Sequence, residues 1–489
     1  MRVNGGKLRA YLRRHRVFAV AVVLAAAVRV VAMLGYRPVM WFNDSYEYVS
    51  VALHPRPHPI RPDGYGFWLL LLKPFHSFGL VAITQHLMGL GIAVLMYALL
   101  RRRFGLPGWG ATLATLPVLF DAYQIQLEHL VLSDVMFTLL VVGVVTLLLW
   151  HRKPTVRMGV AIGLLLALVT LTRTIGMAIL VLVGVYLLVK RAGWRPILAI
   201  VLACGIPVVA YMGWFKAVHG KFAMTGSDGL ILYMRTMAFA ECAKMKPPPE
   251  LVPLCNPDPP DKRKLSQYYL WSKEAPVHRY GGYRFTELNN ELAGKFARQA
   301  ILTQPADFLR VTARDFLRTF QWDRKVFPDP STYEQYEFGV KERALPGWAL
   351  YGGKSAASEM VSYEKGRART TIVSPWADFL RSYQDYVYLR GTLLGGILLV
   401  GLAGLVQRWR RLGGPLLLPW LASVGLLLAP AATAEFDYRY VLPAVPLACL
   451  AAAITLRRGV PAVRLTRRRA APAEPVVEPA PPKELIPTP

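Results

Sequence analysis

Apolar runs long enough to cross a membrane alternate with short basic clusters along most of this chain. The runs fall at 17–35, 79–100, 107–121, 134–150, 156–172, 175–190, 196–215, 387–406, 414–431 and 440–456. Each predicts a helix, because a helix satisfies its own backbone polar groups in lipid. Basic clusters follow every second run: RRR at 101–103, HRKPTVR at 151–157, KRAGWR at 190–195, QRWRR at 407–411, and RRGVPAVRLTRRR after the last. With the basic lead MRVNGGKLRAYLRRHR they predict a single orientation, with about ten spans and both termini cytoplasmic. That lead has no small-residue cleavage site after it and reads as an uncleaved signal anchor.

The expected fold class is an all-α polytopic membrane protein, a bundle of about ten transmembrane helices with an extracytoplasmic insert domain. Four parts follow. Residues 1–215 form an N-terminal membrane module with outer loops at 35–78 and 121–134, and 216–386 form the insert, long enough to be a domain. Residues 387–458 carry the C-terminal helices. The tail, 459–489, is rich in Pro and Glu and is expected to be disordered and cytoplasmic.

Composition changes this picture little. The 489 residues are 54% hydrophobic, which suits several spans rather than one soluble domain. The net charge of +28 would suit nucleic acid if it lined one soluble face, but it sits beside the apolar runs, so no nucleic-acid partner is expected. Cys204 and Cys449 fall in apolar spans and read as small hydrophobes. Cys242 and Cys255 both fall in the outer insert, where an oxidising exterior favours a disulfide that would contribute roughly 3 kcal/mol.

Candidate chemistry enters through sidedness. Asp44, Glu47, His54, His58, Asp63, Asp121, Glu128, His129, Asp134, Asp437 and Arg439 collect at the outer ends of spans, while the inner ends carry Arg and Lys. Asp44-Ser-Tyr-Glu47 matches a capping box, so Asp44 could start a surface helix, serve chemistry, or do both. On that helix Asp44, Glu47 and Tyr48 share a face. His54 and His58 have the spacing of a metal pair, but prolines 55, 57 and 59 forbid a helix between them. They predict an extended strap, with His54, Arg56, His58 and Arg61 on a phosphate or on lipid headgroups. Asp134 is either a helix cap or a second carboxylate facing Asp44. Arg173, between two apolar runs, calls for a buried partner or a bound phosphate. Asp437 and Arg439 form either a structural pair or part of a site.

Five pieces, in order, resemble the GT-C superfamily of polytopic glycosyltransferases, in the bacterial branch that resembles protein O-mannosyltransferases and lipid A aminoarabinose transferases. They are Asp44 in the first outer loop, IRPDGY at 60–65, LSD at 132–134, LTR at 171–173 and YRYVLPAVPL at 438–447. Asp63 departs from the branch's second strap proline, and Asp134 stands where glutamate is common. The resemblance implies a GT-C-like bundle, with sugar transfer from a polyprenyl-phosphate carrier to a glycan, glycolipid or protein hydroxyl at the extracytoplasmic face of the plasma membrane. It serves cell-envelope assembly, with inversion at the anomeric carbon. The implied base is Asp44, with Asp134 as a second carboxylate that binds acceptor or metal. Arg61, Arg173 and Arg439, with His54 and His58, would contact the donor phosphate. Glu47, Tyr48, Tyr65, Glu128 and Asp437 would receive the acceptor or support the site. No ligand set for a metal is evident, although the chemistry admits a divalent cation, Mg or Mn. A lipid or solute transporter, an outer-face glycan ligase and a binding scaffold remain the alternatives.

Overall fold

In the computed structural model, residues 5–457 are described except 152, 282, 283 and 353. The expected tail and most of the last basic cluster lie outside the described residues. The architecture is all-α and polytopic, and the one sheet among the described residues pairs Tyr36–Arg37 with Thr371–Ile372, Tyr36 opposite Ile372. Five helices are long and apolar enough to cross a membrane: His15–Gly35, Phe78–Arg103, Trp194–His219, Gly414–Thr433 and Tyr438–Leu456. A sixth results if Trp376–Tyr386 and Gly391–Gln407, bent by 54°, form one span. Asp134–Trp150, Val156–Thr172 and Gly176–Val189 are apolar but shorter. The expected span at 107–121 is corrected: Gly108–Leu113 and Leu116–Phe120 are separate short helices. Pro117 begins the second, where its missing N–H costs nothing, but it cannot continue the helix before it.

Local chemistry fixes the helix starts. Ser77 accepts from Leu80 N at 3.2 Å and Thr155 from Met158 N at 3.3 Å, each satisfying an orphan donor. Asp121 accepts from Tyr123 N and Gln124 N at 2.9 and 3.1 Å, and from Leu389 N at 2.8 Å, tying Ala122–His129 to the chain entering Gly391–Gln407. It is a cap, and part of no catalytic cluster. Between Val156–Thr172 and Trp194–His219 the backbones meet at Gly163, where a Cβ would lie 2.6 Å from Ile200 O. Only glycine permits that approach.

Residues up to Leu456 form one compact unit around three cores. The first unites the apolar helices through Val142, Val145, Ile162, Leu166 and Leu447. The second joins the loop at 35–78 (Tyr36, Tyr65, Phe78) to Phe338, Met360 and Tyr363 of the insert. The third, Leu230, Tyr233, Leu254 and Phe296, lies within the insert's first half, beside the Cys242–Cys255 disulfide. Segment 216–386 is thus shared between two cores, one of which carries the loop at 35–78.

Candidate active site

Asp44 stands at the N-cap of Ser45–Leu53 and caps nothing, which corrects the capping-box expectation. Its carboxylate is taken by two cations. Arg61 Nη2 donates to one oxygen at 3.0 Å and Arg439 Nη1 to the other at 2.8 Å, while Arg61 Nη1 donates to the Asp44 carbonyl at 3.1 Å. A charge-assisted pair outcompetes a cap, because the guanidinium brings full charge and two aligned donors. Glu47 does not reach back to Asp44. It accepts from His58 Nε2 at 3.3 Å and from Tyr351 N at 3.2 Å. The Tyr48 hydroxyl meets Ser133 Oγ at 3.0 Å, one residue before Asp134.

Contacts run onward from Asp44. Arg439 Nη2 donates to the Tyr440 hydroxyl at 3.3 Å, and the Arg173 guanidinium lies 5.3 Å from the Tyr440 ring. Arg173 in turn pairs with Asp134, whose side chain is buried. Asp437 sits beneath, accepting from Arg439 N at 3.1 Å. Segments separated by up to 395 positions therefore place Arg61, Arg173 and Arg439 among Asp44, Asp134 and Asp437. Burial acts to raise the Asp44 carboxyl, but Arg61 and Arg439 beside it, with Arg173 further off, hold it well below the usual carboxylate range. Burial pushes Asp437 up.

Other expected site residues lie elsewhere. Glu128 is in the interior, bidentate with Arg29 at 2.7 and 2.9 Å and accepting from His86 Nδ1 at 3.0 Å. A Cβ on Gly89 would lie 1.8 Å from Glu128 Oε1, so glycine leaves the room for this buried ion pair. Of the two roles expected for Glu128, this burial leaves support of the fold rather than contact with an acceptor. His58 is buried; its Nδ1 accepts from Ile60 N at 3.1 Å while Nε2 serves Glu47. Burial pushes its pKa down, so the expected cationic phosphate contact becomes a neutral strap residue. His54 faces Glu359 at 3.2 Å, outside the Asp44 cluster. Tyr65 donates to Gln85 at 2.6 Å and packs edge-on to Tyr48, supporting the site from below.

Among the described residues no three His, Cys, Asp or Glu side chains converge as metal ligands. The carboxylates of Asp44 and Asp134 are each matched by a guanidinium. This donor set does not fit an oxygen-ligated Mg or Mn ion, which needs several unmatched oxygens.

Asp63, the strap's departure from the family pattern, is buried and pushed up to about 7 by burial, although His58 N and the Tyr211 hydroxyl donate to it at 3.3 Å. A carboxyl raised on folding binds its proton more tightly in the native state. Stability therefore falls as pH rises from the unfolded carboxylate range toward 7, and is flat above it. Asp63→Asn should flatten the fall in melting temperature between pH 5 and 8, measured by intrinsic fluorescence in detergent. An unchanged slope would exclude Asp63 as its source.

A cleft of about 1150 Å³ opens at Arg173 and Tyr440. One wall is apolar, from Ile175, Met177, Leu426 and Pro430, and the other comes from the insert through Asn290, Lys295 and Arg298. These insert residues escaped sequence reading, because only tertiary packing brings them to the cleft. Phe42, 4.8 Å from the Arg439 guanidinium, likewise carries no signal in line that would mark it as part of the site.

No family model matches the chain, and no curated protein sequence matches it. Solved structures to which it is similar include ArnT from Cupriavidus metallidurans bound to undecaprenyl phosphate, at 14% identity, over 89% of this chain and 76% of that one, with a TM-score of 0.34. Another is the archaeal oligosaccharyltransferase AglB from Archaeoglobus fulgidus, in complex with an inhibitory peptide and a dolichol-phosphate. It shows 12% identity over 91% of this chain, with a TM-score of 0.39, and the chain spans 50% of its length.

Proposed function

We propose that this protein is an inverting glycosyltransferase that moves a monosaccharide from a polyprenyl-phosphate carrier to an acceptor hydroxyl at the extracytoplasmic face, in cell-envelope glycan assembly. The observation that supports this most is the junction of an apolar cleft with a cluster of three arginines around two buried or half-buried aspartates. An isoprenoid chain suits the wall of Ile175, Met177, Leu426 and Pro430. The phosphate would meet Arg173 at the cleft's mouth, with Arg439 and Arg61 beyond, and these cations would stabilise the charge that grows on the leaving phosphate.

The acceptor hydroxyl attacks the anomeric carbon as its C–O bond to phosphate breaks, and Asp44 takes the hydroxyl proton. Bound to two guanidiniums, Asp44 is too acidic to be a strong base. An arriving phosphate competes for Arg61 and Arg439, loosening their hold and raising the basicity of Asp44 at the moment it is needed. Donor binding and base activation are then coupled through shared arginines.

The test is full-length protein in liposomes with a radiolabelled polyprenyl-phosphate hexose or pentose and a cell-wall acceptor fraction. The expected result is free polyprenyl phosphate in step with acceptor labelling. Movement of intact carrier across the bilayer, without bond cleavage, would mark a transporter and sink the proposal.

A further inference from the structure

A second cavity, of about 220 Å³, touches the same loop on the residue before Asp44. Asn43 and Tyr46 line it together with Trp41, Glu334, Glu337 and Trp348. It is smaller than pockets for drug-sized ligands, which run to roughly 300–1,000 Å³, and is on the scale of a sugar ring. Its aromatic groups are arranged as a platform. Trp41 stacks on Tyr46 at 5.4 Å and 17°, and Tyr46 meets Trp348 edge-on at 5.7 Å. Trp348 is 52% exposed and lines the cavity, so its indole is open to a ligand there. The Trp41 indole N–H is satisfied by Ala368 O at 3.0 Å, and its ring also meets Phe78 edge-on at 4.8 Å, which holds the stack in place.

The polar side of the pocket offers acceptors. Glu334 is held by Arg343 at 2.7 Å, and the carboxylate of the half-buried Glu337 takes no hydrogen bond from any described residue. The pocket is fastened to the catalytic loop, since Asn43 N donates to Gln335 at 3.1 Å. The exposed Trp348 indole, braced by the Trp41–Tyr46 stack, matches the C–H face of a pyranose, while carboxylates accept its hydroxyls. Lys341 and Arg343 line the pocket too, so its rim offers donors as well as acceptors to sugar hydroxyls, while a lipid tail would leave Glu337 unpaired.

We infer that this pocket, built on Trp41, Tyr46, Trp348 and Glu337, binds a saccharide, the acceptor of the transfer proposed above, and on that reading presents its hydroxyl to Asp44. The acceptor thus enters beside Asn43, while the donor occupies the cleft at Arg173. The two are joined through the Asp44–Arg439–Tyr440 contacts.

The experiment is saturation-transfer difference NMR on the full chain in a zwitterionic detergent without a sugar headgroup. The probes are methyl α-mannopyranoside, methyl β-galactopyranoside and maltotriose. Saturation of ring protons is expected for at least one, falling at least fivefold in Trp348→Ala and at least twofold in the isosteric Glu337→Gln. No transfer to any of the three, or equal transfer in both variants, overturns the subsite. So does a Trp348-dependent response to a serine/threonine peptide but to none of the sugars. Donor cleavage takes no part in this measurement. Sugar binding without transfer in liposomes would therefore fail the transferase reading alone.

Discussion

Asp44→Asn should lower the turnover of carrier-linked sugar by about 10³-fold, within the range that a positioned general base contributes, while the protein still inserts and purifies as the native chain does. The substitution keeps the side chain's shape and the carbonyl that Arg61 or Arg439 can still reach, so the loop has no steric reason to move. Freed of its anion, the pair of arginines becomes more available to phosphate. Donor KM should therefore stay level or fall as kcat collapses, measured by release of polyprenyl phosphate over a donor titration. The alternative role for Asp44 is to position the arginines alone, and it predicts the reverse. Donor KM would rise at a mild loss of kcat, because Arg61 and Arg439 would lose their anchor at 3.0 and 2.8 Å. Near-normal kcat in Asp44→Asn would end the base assignment.

That discrimination was not available from the residues in line. Apolar runs and basic clusters made the all-α polytopic class legible, since lipid leaves the backbone few choices. The shorter-range inferences fared unevenly. WFNDSYEYVS satisfied the capping pattern at Asp44 and Glu47, yet both side chains went to partners distant in sequence. Local pattern scores an isolated helix, and here ion pairs at 14–23% exposure of Arg61 and Asp44 outweigh the cap. Sidedness gathered Asp44, Asp134, Asp437 and Arg439, the strap and the hairpin added Arg61 and Arg173, and the structure brings these six side chains together. Sidedness also swept in Glu128, whose partner Arg29 lies within the first apolar run and was read there as part of a span. Charge at the end of a helix cannot tell an outer cleft from a buried ion pair; only the partner's position does. The cleft wall from the insert was invisible for the same reason: the apolar stripe of 287–303 packs into the insert's own core, and nothing in line announces that Asn290, Lys295 and Arg298 face a cleft.

Arg173→Ala separates the two things that Arg173 can be. The residue ends Val156–Thr172, turns the chain into Gly176–Val189, and places its guanidinium between the Asp134 carboxylate and the Tyr440 ring at the cleft mouth. Asp134 is 1% exposed, and removing its cation leaves a buried charge uncompensated, which costs about 3–5 kcal/mol when one partner of such a pair is deleted. The same change removes a charged donor from the proposed phosphate site. A hydrogen bond to a charged group is worth about 1.5–3 kcal/mol, so donor KM should rise by about tenfold to a hundredfold. The double variant Arg173→Ala/Asp134→Asn removes the orphaned charge as well. Thermal stability should then recover most of the loss, while donor KM stays elevated. If donor KM returns to the native value along with stability, Arg173 serves the fold alone, and the phosphate must be held by Arg61 and Arg439. If stability returns and donor binding does not, the guanidinium at the cleft mouth acts on the donor directly, and Asp134 is the partner that holds it there before the donor arrives.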